Sequence, residues 1–385
     1  MRRFILCLLL VFACCFVFPQ TQPEPQPCPF RISLLTATPG AELYSTFGHS
    51  ALRVTDSSSG YDIIYNYGTF DFNDPDFYSK FMRGKLLYFV SVDLFPNYLE
   101  QYAWEKRGIT EQVLNLSCEQ KVDLLAFLQE NAKEENKYYK YDFVRDNCTT
   151  RLRDIVFTMS NGKRQTGNVR PGKKVSFRDL IHVYLDHSHQ NWSKLGIDIL
   201  LGVPLDKSLT NEEAMFLPDY LMAAFDSTHV NGQALVEKKE VILPPAMSAG
   251  KKPLFTPFIV FSLLIIGIAS LMIVGKSKRF LLAFDFVLFF LTGLIGWFIM
   301  FMWFGTEHLT TKNNFNLAWA FPLNFIAAFF VYKQKNWLRA YFLVYCLLLI
   351  ALLILWWWGP QEMNDALLPL VILLFIRAFS HYRRA

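Results

Sequence analysis

From Leu254 onward the chain is a succession of apolar runs, at roughly 254–275, 281–304, 317–332, 340–358 and 366–380. Most approach or exceed the roughly 20 residues that a helix needs to cross a bilayer, and the last, which is short, would use its flanks. The full 385 residues are 52% hydrophobic and 16% aromatic, more than a soluble globule usually carries. These features predict one soluble domain followed by an all-α bundle of five transmembrane helices over 254–380.

Loop charge sets the orientation. KSKR at 276–279, the segment from Lys333 to Arg339 and the terminal HYRRA are basic, whereas 305–316 and 359–365 carry almost no charge. By the positive-inside rule the soluble domain lies outside and the C-terminus inside, with Lys251 and Lys252 as a minor exception. Trp297, Trp303, Trp337 and Trp356 to Trp358 stand near the expected span ends, as interfacial anchors do. The net charge of +5, from 38 basic and 33 acidic side chains, is confined to a few short loops and does not suggest nucleic acid as a partner.

Residues 1–20 have the layout of a secretory signal peptide: Arg2 and Arg3, then an apolar run from Phe4 to Phe18. A Pro/Gln linker follows at 21–29, and 30–247 would form one extracytoplasmic domain. Past the signal only Cys28, Cys118, Cys148 and Cys346 remain. An oxidising compartment permits a Cys28 to Cys118 bridge, which leaves Cys148 free, and four unpaired thiols packed as small hydrophobes are an equal alternative for all except Cys148.

Within the domain RISLLTAT, HSALRV, DIIYNYGTF and KLLYFVSVDL are rich in β-branched and aromatic residues and are separated by turn formers, which predicts strands. Helical spacing follows at Glu119 to Ala132, Asp146 to Met159, Ser176 to His187 and Asn211 to Phe225, with Thr210 and Glu213 as a capping box. The expected class is α+β, with helices packed on an antiparallel sheet.

Two short stretches carry the candidate chemistry. Asp146 and Asn147 are N-cap residue types, so Cys148 should sit in the first turn of a helix, where the dipole and free backbone N–H groups favour thiolate and can hold an oxyanion. A lone cysteine is more often simply packed, but His49, after Gly48 at the start of a strand, supplies a possible base. A histidine hydrogen-bonded at a strand edge is the bland alternative. A third polar group must hold the imidazole, and Asn66 is the choice because Asp62, Ile64 and Asn66 share one strand face. Tyr65 and Tyr67 should point the other way and pack.

The succession TPGAELYSTFGHSALRV, YNYGTFDFNDPDFYSKFMRGKL, EQVLNLS and YYKYDFVRDNCTTRLRDI resembles the Lnb proteins, lipoprotein N-acyltransferases of Bacteroides-type bacteria. WFGTEHLTTKNNFNLAWAFPLN resembles that family's loop between its second and third spans. The His-then-Cys order is also similar to permuted papain-like folds, the NlpC/P60 and lecithin:retinol acyltransferase group. The resemblance implies Cys148 as nucleophile and His49 as base, in a bacterial inner membrane protein whose catalytic domain is periplasmic. It further implies a phospholipid acyl donor, a Cys148 thioester, and the α-amino group of a diacylglyceryl-cysteine lipoprotein as acceptor, with no metal or diffusible cofactor required.

Asn147 beside the nucleophile, and Glu307, His308, Asn313 and Asn314 in the loop just outside the bilayer, are the expected substrate contacts. The alternative for that loop is a polar cap on two helices. Asp285 and Arg377, the ionised groups well inside predicted spans, are expected to snorkel or to pair with each other. A thiol peptidase or amidase acting on cell-wall peptides would use the same Cys148 and His49 but would need no five-span bundle. A phospholipase differs from the transferase only in its acceptor, and a non-enzymatic receptor would dispense with the thiol.

Overall fold

A computed structural model describes residues 28–246, 252–275, 278–333 and 335–384. The signal segment at 1–20, most of the linker at 21–29 and Lys251 lie outside the described residues. A seven-stranded antiparallel sheet organises the first part. It uses β1 (Phe30–Ala37), β2 (His49–Asp56), β3 (Tyr61–Thr69), β4 (Leu87–Leu94), β5 (Ile109–Leu114), β6 (Tyr138–Lys140) and, after the short strands β7 (Arg164–Gln165), β8 (His229–Val230) and β9 (Gln233–Ala234), β10 (Val236–Leu243). The order is β10-β5-β1-β2-β3-β4-β6, and β7 to β9 form a separate small sheet.

Strand β1 lies inside the sheet between β5 and β2, and its period-2 alternation sends apolar side chains to both faces. Ile32 and Leu34 join Leu52, Val54, Tyr65 and Tyr67 in one cluster. Leu35 and Ala37 join Ala51 and Ile64 in another. The helices of this part are α1 (Phe77–Arg83), α2 (Phe95–Trp104), α3 (Cys118–Asn131), α4 (Cys148–Met159), α5 (Phe177–His187), α6 (Asn191–Leu200), α7 (Asn211–Ala214) and α8 (Pro218–Asp226). Leu124 and Leu128 of α3, Leu152 and Val156 of α4 and Phe225 of α8 cover the first face. Tyr98 and Tyr102 of α2 cover the second.

The helix expected over Asn211 to Phe225 is in fact two. The Thr210 and Glu213 capping box starts α7, but Pro218 has no N–H to continue the ladder and holds Leu217 extended, at ψ 142°. A disulfide joins Cys28, just before β1, to Cys118, the first residue of α3.

Among the described residues, four helical stretches are long and apolar enough to cross a membrane: α9 (Pro257–Val274), α10 (Lys278–Phe304), α12 (Asn336–Ile354) and, with the turn before it, α13 (Leu368–Arg384). The stretch expected as the third span, 317–332, is not a helix of that length. It holds a 3-10 turn at Phe315–Ala318 and the short α11 (Asn324–Ala328), then turns whose N–H groups reach back three residues, as from Phe330 to Ala327. Pro322 removes one ladder donor, and the chain approaches α10 so closely that a Cβ on Gly293 or Gly296 would collide with the backbone of Phe325 or Ala320. The buried Asn324 holds this stretch by bonding Thr292, Tyr341 and Tyr345. Near the other end of α10, Arg377 and Asp285 pair at 2.6 and 2.7 Å, and His381 joins them at 2.7 Å.

Candidate active site

Cys148, His49 and Asn66 meet at one end of the sheet. Gly48, with φ +80°, turns the chain into β2, and a Cβ there would press on the Ala37 carbonyl at 2.9 Å, so a side chain is refused just where His49 must enter the strand. Asn66 is paired with Ser91 immediately before the register irregularity that ends at Thr69. His49 and Asn66 project from adjacent strands on the same face as Ala51 and Ile64, and the His49 Nε2–H donates to Asn66 Oδ1 at 2.5 Å. This fixes the tautomer and leaves Nδ1 as the ring nitrogen for a thiol.

Cys148 arrives from the other chain segment as the first residue of α4. Asn147 caps that helix: its Oδ1 accepts the Thr150 N–H at 2.9 Å and Thr150 Oγ1 accepts the Asn147 N–H. Gly68, at φ +92°, lets β3 pass close by, since a Cβ there would lie 3.5 Å from that of Cys148. The first-turn N–H groups of Cys148 and Thr149 have no acceptor within the helix and remain available to a developing oxyanion.

Burial pushes the Cys148 thiol up, but the charge of the His49 ring, its hydrogen bond to the sulfur, the Ser50 backbone N–H and the Thr149 hydroxyl outweigh it and bring the thiol down to about 7. Burial lowers the His49 imidazole in turn, while the thiolate and the bonds to Cys148 and Asn66 raise it above its ordinary value. Cys148 as a residue is only partly buried, and a thiol lowered in this way is reactive near neutral pH. A direct consequence is testable. Alkylation of Cys148 by iodoacetamide is expected to rise through an inflection near pH 7 in the wild type. In His49→Ala burial acts without the imidazolium, so the inflection should move to ~8.5 or above. An unmoved inflection would dissociate the two residues.

The other expected contacts are placed differently. Asn147 has nothing left for a substrate, because its side-chain amide also donates to the Phe143 and Phe216 carbonyls and the residue is 4% exposed. Glu307 pairs with Lys140 at 2.6 Å and Lys85 at 3.7 Å, and the His308 ring donates to Phe81 O at 3.1 Å. Both are therefore engaged with the sheet domain. Asn314 donates to the Ile199 and Leu200 carbonyls. Asn313 is exposed, with φ +54°, and borders an apolar cavity of about 890 Å³ with Trp297, Trp303 and Phe321. Residues beside Cys148 that sequence reasoning did not single out are Ser50, Gly68 and Thr149, with Tyr139 in the buried cluster against which Tyr141 and Cys148 pack. Burial holds both phenols protonated. The repeated tyrosines of YYKYDF, two apart on one strand end, were the only signal for them.

The sheet domain is also locked onto the bundle by buried polar groups. Arg178 of α5 bonds Asp198 and Asp206 at 2.7 Å each. Asp198 also accepts from the Asn364 amide at 2.7 Å and lies 2.9 Å from His182, while Asp206 accepts the Glu362 N–H. Residues 360–364 precede α13, so one arginine organises both sides of the joint.

An antiparallel sheet with helices, bearing a partly exposed thiol and carried on an apolar helical bundle, defines a membrane protein with an extramembrane domain. The Lnb N-terminal periplasmic domain matches residues 25–183 and the Lnb transmembrane domain matches residues 249–385. The chain belongs to the Lnb family, and the sheet domain is accordingly periplasmic. No curated protein and no solved structure matches it significantly.

Proposed function

We propose that the protein is a lipoprotein N-acyltransferase of the bacterial inner membrane, with Cys148 as nucleophile, His49 as general base and acid, and Asn66 orienting the imidazole. The observation that carries this reading is the meeting of Cys148, at the capped start of α4, with His49 held by Asn66 at 2.5 Å, in a domain fastened to the membrane bundle. The His-before-Cys order, with strand preceding helix, also supports a permuted papain-like arrangement. The chain crosses the bilayer five times in this reading, four times as a helix and once through the broken segment at 315–333.

In the first half-reaction the Cys148 thiolate attacks the acyl ester of a phospholipid, His49 having taken the thiol proton. The first-turn N–H groups of α4 hold the oxyanion, and the lysophospholipid alkoxide leaves with the proton from His49. In the second half-reaction the α-amino group of a diacylglyceryl-cysteine attacks the thioester, His49 receives the ammonium proton, and thiolate departs from the new amide. Anchoring catalyst and both substrates in one leaflet reduces the search to a plane.

The test is to incubate the full chain with phospholipid and no acceptor. A hydroxylamine-sensitive adduct of fatty-acyl mass should accumulate on the Cys148 peptide and then be chased onto a diacylated lipopeptide. Free fatty acid released at the same rate with or without acceptor would indicate a phospholipase instead, and cleavage of cell-wall peptides an amidase.

A further inference from the structure

The segment around α1 carries apolar side chains that a water-facing surface would not favour: Phe72, Tyr78, Phe81 and Met82 are 69%, 79%, 52% and 43% exposed. Their position relative to the bilayer follows from the loop after α10. Glu307 stands three residues past Phe304, the last residue of α10, and its N–H donates to Arg83 O at 2.9 Å. The His308 ring donates to Phe81 O, and Gly84, the left-handed cap of α1, is so close that a Cβ would lie 3.3 Å from that ring. Three extended residues reach ~10 Å at most, comparable with the headgroup layer, so the end of α1 lies at that level of the periplasmic leaflet.

From this patch a run of ring contacts leads inward. Centroids are 6.1 Å apart for Phe81 and Phe77, 5.8 Å for Phe77 and Phe70, 5.2 Å for Phe70 and Tyr88, and 4.2 Å for the stacked Tyr88 and Tyr141. Tyr88, Tyr141 and Cys148 pack against one cluster. Arg83 at the edge is exposed and has no ion-pair partner among the described residues.

We propose that α1 and the loop before it form an interfacial platform, with Phe72, Tyr78, Phe81 and Met82 seated at the boundary of headgroups and acyl chains, Arg83 against a lipid phosphate, and the aromatic run admitting a phospholipid to Cys148. The purpose of this surface rests on the acyl transfer proposed above; its location does not. The full chain in nanodiscs of phosphatidylethanolamine and phosphatidylglycerol tests it, with benzoylphenylalanine replacing Phe70, Phe72, Tyr78 or Phe81 in turn. Tyr61, 61% exposed at the far end of the β2–β3 hairpin, serves as control. Irradiation should give adducts of phospholipid mass at all four positions, at least tenfold above Tyr61. Adducts no stronger than at Tyr61, adducts to a second copy of the chain or to another protein instead of lipid, or an empty Phe70 would each overturn it. Repeating the series in Cys148→Ser separates the two readings, because the lipid pattern should persist even if no thioester ever forms.

Discussion

Cys148→Ser is expected to abolish N-acylation in a strain lacking its own activity, read by mass spectrometry of lipoprotein N-termini, with His49→Ala reducing it by ~10²–10⁴-fold. A serine hydroxyl would need a far stronger base than the imidazole that serves a thiol already near neutrality, so the conservative variant should fare little better than alanine. Asn66→Ala should cost less, on the order of tenfold, since it frees the ring held by the 2.5 Å bond without removing the base. Asn66→Asp, which keeps the acceptor and adds charge, should retain more activity than Asn66→Ala. Triacylated termini at wild-type level in both Cys148→Ser and His49→Ala would remove these residues from the mechanism.

Arg178→Ala should destabilise the protein by about 3–5 kcal/mol, because it leaves the buried Asp198 and the largely covered Asp206 without the guanidinium. The loss should appear as a lower apparent unfolding temperature in detergent and as faster proteolysis near 201–206, where the Arg178 guanidinium also bonds the Leu201 carbonyl. Lys85→Ala, on an exposed pair 3.7 Å from Glu307, should change stability by less than about 1 kcal/mol. Equal effects from the two substitutions would contradict the burial argument.

The parts of this protein legible in sequence are those set by local rules. Period-2 alternation locates β1 to β4 and puts Asn66 on one face with Ile64, in agreement with the β3–β4 register and the bond to His49. Capping chemistry placed Cys148 at a helix start. Strand β10 was not read because VEKKEVIL buries little and its alternation is masked by charge, and α1 and α2 were missed because they are short and dense in aromatics. Hydropathy overstated the third span because it counts apolar residues and does not register that Pro322 and the close passage at Gly293 and Gly296 break the helical ladder. Nor could composition show that Asn147, Glu307 and His308 are engaged by Phe216, Lys140 and Phe81, which lie 69, 167 and 227 positions away.

The Cys28–Cys118 disulfide has a consequence for how the protein ages. Among the described residues the remaining free cysteines are Cys148 and Cys346, and the latter is buried in the apolar α12, so the acidic sulfur has no neighbouring thiol with which to close an internal bridge. An oxidant that reaches it gives a sulfenic acid that no resolving cysteine among the described residues traps, and recovery there depends on a reductant supplied from outside the chain.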